Sequence, residues 1–185
     1  GLNPLISKRL DNKRLIKNLP EYKRVTKLVC QRRYGLAEDE DAVLISLVGR
    51  LAEQKGIQLL SGCAEGDWTN VLESVLRAFP RVQFFIGGPA SEGDAAAREL
   101  RSVIEDLTAR YPGRIRGVFD FIAHKDALEV TQASDIFLMP SRYEPGGITQ
   151  LEALAAGTLV VARNVGGIAA TLSDYNPDRD EGNSF

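Results

Sequence analysis

The chain has little of what metal, redox and membrane chemistry require. Its 185 residues include one histidine, two cysteines, one methionine and one tryptophan. One histidine and two distant thiols, Cys30 and Cys63, cannot supply the clustered ligands of a structural zinc site. The thiols read as free cysteines in a reducing compartment. No apolar run reaches the ~20 residues that a membrane-spanning helix needs, and no signal-peptide pattern opens the chain. These absences leave a soluble globular protein with no membrane role.

What is present is ordinary for such a protein: 44% hydrophobic and 26% charged residues, in a length sufficient for one domain with a sizeable core. The net charge of -2 hides an asymmetry, because residues 1–33 carry ten Lys and Arg against Asp11 and Glu21. This segment lacks interleaved aromatics and any nucleic-acid motif, so it reads as a solvated helix and linker with no nucleic-acid partner. The first residue is Gly1, and the polar ending Glu181-Gly182-Asn183-Ser184-Phe185 closes with no terminal helix. Both lead to the expectation of a piece of a longer polypeptide.

Residues 1–20 read as a connecting segment ending at Pro20, and residues 21–185 as the domain. A helix is expected over residues 21–34, with Tyr22, Val25, Leu28 and Val29 as its apolar side and Gly35 as its stop. Residues 42–48 form a nearly continuous apolar run, the pattern of a strand covered on both faces of a parallel sheet. Further strands are expected at 82–86, 114–119, 135–139 and 158–162. Helices are expected at 57–60, 68–79, 95–110, 124–132 and 148–156, with another short one opening at Gly166. About five strands alternating with helices make a doubly wound α/β sheet. In such sheets ligands bind beyond the carboxyl ends of the strands. The glycine-marked loops at 49–56, 87–88, 146–147 and 166–167 all fall there.

Chemistry concentrates in two of these loops. Arg50 and Lys55, bracketed by Gly49 and Gly56, are two cations suited to a diphosphate, as opposed to two solvated charges. Glu144 stands in a loop whose Gly146 and Gly147 let backbone N–H groups approach a ligand. On the following helix Thr149 and Glu152 share a polar side at i, i+3, while Ile148, Leu151 and Ala155 are expected to face the sheet. A strand end, a glycine loop and a helix start together suit an anion. Two carboxylates also fit a glycoside hydrolase pair, but hydrolysis leaves the cations and glycine loops without a use. His124 reads as exposed and outside the chemistry, and Arg142 and Tyr143 as loop-positioning residues.

Three words of sequence carry a resemblance: Gly49-Arg50-Leu51-Ala52-Glu53-Gln54-Lys55-Gly56, then Ser134-Asp135-Ile136-Phe137-Leu138-Met139-Pro140-Ser141-Arg142-Tyr143-Glu144-Pro145, then Thr149-Gln150-Leu151-Glu152-Ala153-Leu154. With Val165-Gly166-Gly167-Ile168 farther on, residues 42–172 resemble the glycogen/starch synthase family. The resemblance implies a Rossmann-like sheet, the C-terminal half of a GT-B fold. It also implies transfer of glucose from ADP-glucose or UDP-glucose to the non-reducing end of an α-1,4-glucan, with retention and with no cofactor or metal. By the same resemblance Arg50 and Lys55 neutralise the diphosphate and Glu144 meets the transferred glucose. Gly146, Gly147, Ile148 and Thr149 offer donors to the phosphates, Glu152 binds the ribose, Gly87 and Gly88 lie near the base, and Gly166 and Gly167 form the family's glycine turn. The acceptor would bind through an N-terminal domain that this chain lacks, so the chain alone is expected to be inactive. The location would be the cytoplasm in a bacterium and the plastid stroma in a plant or alga. The chain departs from the family at Gly146, where cysteine is frequent, at Val165 in place of threonine, at Ala170 in place of aspartate, and in the insertion around 61–69. Another retaining transferase of this architecture, of the sucrose or trehalose-phosphate synthase type, and a nucleotide-binding module are the alternative readings.

Overall fold

The computed structural model describes residues 12–62 and 70–184. Five parallel strands form one sheet in the order β3-β2-β1-β4-β5: β1 Val43–Val48, β2 Val82–Gly87, β3 Ile115–Val118, β4 Ile136–Met139 and β5 Leu159–Ala162. Each lies within one residue of its sequence expectation; β2 is buried throughout, and β1, β2, β4 and β5 show themselves as apolar runs. The helices are α1 Asn12–Tyr34, α2 Gln58–Ser61, α3 Val71–Ala78, α4 Ala95–Arg110, α5 His124–Ala133, α6 Thr149–Ala155 and α7 Gly166–Ala169. Among the described residues no helix is long and apolar enough to cross a membrane.

Local signals set the helix starts. The Asn70 side chain accepts the Glu73 N–H at 2.9 Å and begins α3, and Asp94 accepts the Ala97 N–H at 3.0 Å and begins α4. The expected start of α3 at Trp68, like Cys63, lies outside the described residues. Leu47, Phe84 and Ile86 bury one side of the sheet against Leu60, Leu72, Leu100, Ile104 and Leu107. On the other side Leu44 and Phe85 pack with Cys30 and Val130, and Phe137 and Val160 with Ala153 and Ile168. Burial pushes the Cys30 thiol up to about 12, which makes it an inert packing residue.

Two helix expectations are corrected. The first helix begins at Asn12 and runs through Pro20, where a start at Glu21 was expected. Its buried side is not the Tyr22, Val25, Leu28 and Val29 stripe. Tyr22, Val25 and Val29 are exposed, whereas Lys27, Cys30 and Gln31 are buried. The helix lies across the amino ends of the strands, where backbone groups need partners. Lys23 donates to Ser134 O and, at 2.7 Å, to Thr158 Oγ1. Lys27 donates to Ala42 O at 2.8 Å and pairs with Asp135 Oδ2 at 2.7 Å. Gln31 bonds Asp39 O at 2.8 Å and Gln83 Oε1 at 2.9 Å. One polar residue per turn sets the rotation, and the valines turn outward. In α6, Ile148, Leu151 and Ala155 are exposed, and Gln150 and Ala153 face inward. The Gln150 amide donates to Gly147 O at 2.8 Å and Thr171 Oγ1 at 3.0 Å, which fixes that rotation.

The chain steps from β1 to β2 to β3 in one direction, then crosses back through α5 to place β4 on the other side of β1. The loops after β1 and β4 lie side by side above this reversal, which is where open α/β sheets bind ligands.

Candidate functional site

The loop after β1 and the loop after β4 meet at backbone distance. Gly56 has φ +71°, and a Cβ built there would lie 1.9 Å from Pro140 O, so no side chain fits. A short 3-10 turn, Glu53–Lys55, precedes it. From this turn three successive side chains reach across. Glu53 pairs with Arg142, Gln54 Nε2 donates to Tyr143 O at 3.2 Å, and the Lys55 ammonium is hydrogen-bonded to the Glu144 carboxylate. The Arg142 N–H adds a bond to Gln54 O at 2.9 Å. Two predicted residues far apart in sequence, Lys55 and Glu144, are thus in direct contact. Ser141 Oγ lies 3.4 Å from the same Glu144 oxygen.

The Glu144 loop is held from behind by the Gly166–Gly167 turn at the start of α7. Gly167 N–H donates to Glu144 O at 2.7 Å. A Cβ on Gly166 would stand 2.3 Å from Glu144 O, and one on Gly167 2.0 Å from Gly146 O. These two glycines therefore act on the loop by close approach. A Cβ on Gly146 would meet nothing within 4 Å, Gly147 takes φ +63°, and Ile148 is 68% exposed. Positions 146 and 148 are open to solvent, whereas a Cβ on Gly147 would stand 2.7 Å from the Gln150 side chain.

Beside this pair of loops a cleft of about 320 Å³ opens above the carboxyl ends of the strands. Of the predicted residues, Arg50, Gly88, Thr149 and Glu152 line it. Gly87 ends β2 just beneath, where its carbonyl accepts the Gly49 N–H at 2.9 Å. Arg50 Nη2 donates to Gln54 Oε1 at 2.9 Å. Beside these polar residues the lining includes an apolar set, Pro89, Phe121, Ile122 and Leu128, and Phe121 is 82% exposed.

Sequence reasoning missed this apolar set. Its centre is the loop after β3, which carries no glycine, so the glycine rule passed over it. The signal that could have found it was a pair of large apolar residues, Phe121 and Ile122, in a strand-end loop. His124 is 66% exposed, as expected, but it is not remote. It lines the cleft with its Nε2 3.8 Å from Glu152 Oε1.

The cleft thus lies at the topological switch point and is lined by the cation Arg50, the carboxylate Glu152 and an apolar set of side chains. The family model for glycosyl transferases group 1 matches residues 31–182. The chain belongs to this family of glycosyl transferases. Among its relatives, Glycogen synthase 2 of Nitrosococcus oceani is 38% identical over 172 residues, 93% of this chain and 30% of that protein. Glycogen synthase of Kosmotoga olearia is 34% identical over 183 residues, 99% of this chain and 34% of that protein. The chain thus spans about a third of the length of these curated relatives. Among solved structures, the catalytic domain of starch synthase IV from Arabidopsis thaliana, bound to ADP and acarbose, has a TM-score of 0.64 at 24% identity. It covers 84% of this chain and 29% of its own. Sucrose-phosphate synthase from Thermosynechococcus elongatus has a TM-score of 0.55 at 27% identity, covering 79% and 33%. The fold is the Rossmann-like C-terminal half of a GT-B glycosyltransferase.

Proposed function

We propose that this transferase chain is the donor-binding half of a glucan synthase. In this reading it holds ADP-glucose or UDP-glucose while glucose passes, with retention, to the non-reducing end of an α-1,4-glucan presented by another domain. The observation that carries the reading is a cleft lined by Arg50 and Glu152 together with Pro89, Phe121, Ile122 and Leu128, beside the Lys55–Glu144 pair.

The base occupies the slot formed by Pro89, Phe121, Ile122 and Leu128. Glu152 accepts hydrogen bonds from the ribose hydroxyls, and His124 at 3.8 Å flanks that end of the cleft. Arg50 takes one side of the diphosphate. Lys55 exchanges its contact with Glu144 for the phosphate nearer the sugar, where it stabilises the negative charge that builds on the departing nucleotide. Glu144, released, faces the glucose. Backbone N–H groups of Gly146, Gly147 and Ile148 and the Thr149 hydroxyl bind the remaining phosphate oxygens. Charge neutralisation is assigned to side chains and backbone dipoles with no metal.

Transfer requires donor and acceptor to be fixed together in one closed cleft. The chain alone is therefore expected to bind ADP or UDP weakly and to transfer no glucose. Calorimetry with ADP and UDP, and a glycogen-elongation assay, test both statements. Absence of binding to either nucleotide, or elongation by the chain alone, would overturn them. The likeness to sucrose-phosphate synthase supports a second reading, a retaining transferase with a small sugar acceptor. Acceptor assays with the chain joined to an acceptor domain separate the two.

A further inference from the structure

We propose that Gln54 is a positioning residue that aims the Arg50 guanidinium into the cleft; this inference rests on the donor-site reading above. Gln54 sits in the middle of the 3-10 turn Glu53–Lys55 and makes three bonds in three directions. Its Oε1 accepts from Arg50 Nη2 at 2.9 Å, its Nε2 donates to Tyr143 O at 3.2 Å, and its backbone carbonyl accepts the Arg142 N–H at 2.9 Å. It thus bridges the cation-bearing loop and the Glu144-bearing loop with a single side chain.

The orientation of the amide follows from its neighbours. Arginine can only donate and a backbone carbonyl can only accept, so a flipped amide would set donor against donor and acceptor against acceptor. The amide therefore has one stable setting, and that setting fixes the guanidinium by the only hydrogen bond its side chain makes among the described residues. Arg50 is otherwise exposed, on a long flexible stem with many rotamers. A guanidinium held before the ligand arrives loses less freedom on binding, which raises affinity with no added ligand contact. The same amide ties Arg50 to the carbonyl immediately before Glu144. A shift of the Glu144 loop is thereby transmitted to the cation.

A double-mutant cycle read by ADP binding to the 185-residue chain tests this. Arg50→Ala, Gln54→Ala, Gln54→Met and the Arg50→Ala/Gln54→Ala pair are titrated with ADP. Thermal melting of each variant reports whether it folds. Gln54→Ala and Gln54→Met are expected to raise the dissociation constant roughly tenfold when Arg50 is present, and to change nothing when Arg50 is already alanine. A merely structural role would move the melting temperature and weaken ADP equally in both backgrounds, and that result overturns the proposal. So does Arg50→Ala weakening ADP while both Gln54 variants bind as the parent does. If Arg50→Ala itself leaves ADP binding unchanged, the donor-site reading fails, and the role of Gln54 falls with it.

Discussion

The Lys55 ammonium is hydrogen-bonded to the Glu144 carboxylate across 89 positions of sequence, and this contact closes the loop after β1 onto the loop after β4. The two partners are unequally buried: the Glu144 side chain is 11% exposed and that of Lys55 27%. Removing Lys55 strands an anion with only the Ser141 hydroxyl, 3.4 Å away, to replace its partner. Removing the charge of Glu144 leaves a cation that solvent can reach. Lys55→Met is therefore expected to destabilise the chain by roughly 1–3 kcal/mol, and Glu144→Gln by less. Urea unfolding of the two variants measures the order; a larger loss for Glu144→Gln would show that the cation, not the anion, is the costly group.

The glycines around this loop are expected to separate into two kinds. Gly146→Cys, which also restores the residue frequent in the glycogen/starch synthase family, should leave stability and nucleotide affinity nearly unchanged, because a Cβ there meets nothing within 4 Å. Gly167→Ala sets a Cβ 2.0 Å from Gly146 O. The backbone must move, at a cost of about 1–3 kcal/mol, and the Gly167 N–H bond to Glu144 O at 2.7 Å is strained with it. Melting temperatures together with ADP titration of both variants check the contrast.

How much of this could be read from the sequence depends on the range of the forces involved. The strands were legible chiefly because local apolar runs mark β1, β2, β4 and β5. The contact of Lys55 with Glu144 was only implied, since each residue was marked by its own loop and the strand order decides that the loops meet. The rotation of α1 was not legible. Lys23, Lys27 and Gln31 read as solvated residues until the carbonyls of Ser134, Ala42 and Asp39 arrive from elsewhere in the chain to bury them. The apolar residues Phe121 and Ile122 escaped because their loop turns without glycine, and the rotation of α6 because the buried Gln150 amide finds two hydrogen-bond acceptors, Gly147 O and, from elsewhere in the fold, Thr171 Oγ1.

Acid should unfold the chain partly through Glu73. Its carboxylate accepts from Arg110 Nη2 at 2.8 Å and from Tyr111 Oη at 3.1 Å. The Arg110 hydrogen bond, against an opposing effect of burial, holds its pKa down at about 2. A depressed carboxylate contributes stability that is fully present above its unfolded value, near 4.5, and is lost as pH falls toward 2. Denaturant unfolding of the parent and of Glu73→Gln should therefore differ by a constant amount at neutral pH and converge in that acid window. A difference that persists at the acid end would mean that Glu73 acts through packing alone.

Lys23 is expected to behave in the opposite way. Burial first, and the nearby Lys27 in the same direction, outweigh Asp135 and push its pKa down to about 8. At neutral pH it is charged in both the folded and the unfolded chain, and the folded chain bears the cost of desolvating that charge. Between about 8 and the ordinary value of 10.5 the unfolded chain keeps the proton and the folded chain releases it. The unfolded state then binds more protons, so stability rises with pH across this window. Lys23→Met should accordingly be neutral or stabilising at pH 7, even though it deletes bonds to Ser134 O and Thr158 Oγ1. The one Thr158 hydroxyl proton still serves either Thr131 O at 2.8 Å or Ser134 O at 3.1 Å, so the deletion costs at most one carbonyl its donor. Its advantage over the parent should shrink as pH rises toward 10.5. Urea unfolding of both proteins at pH 7 and near pH 10 decides it: a variant much less stable at pH 7, with a gap unchanged at the higher pH, would show that the two hydrogen bonds outweigh the buried charge.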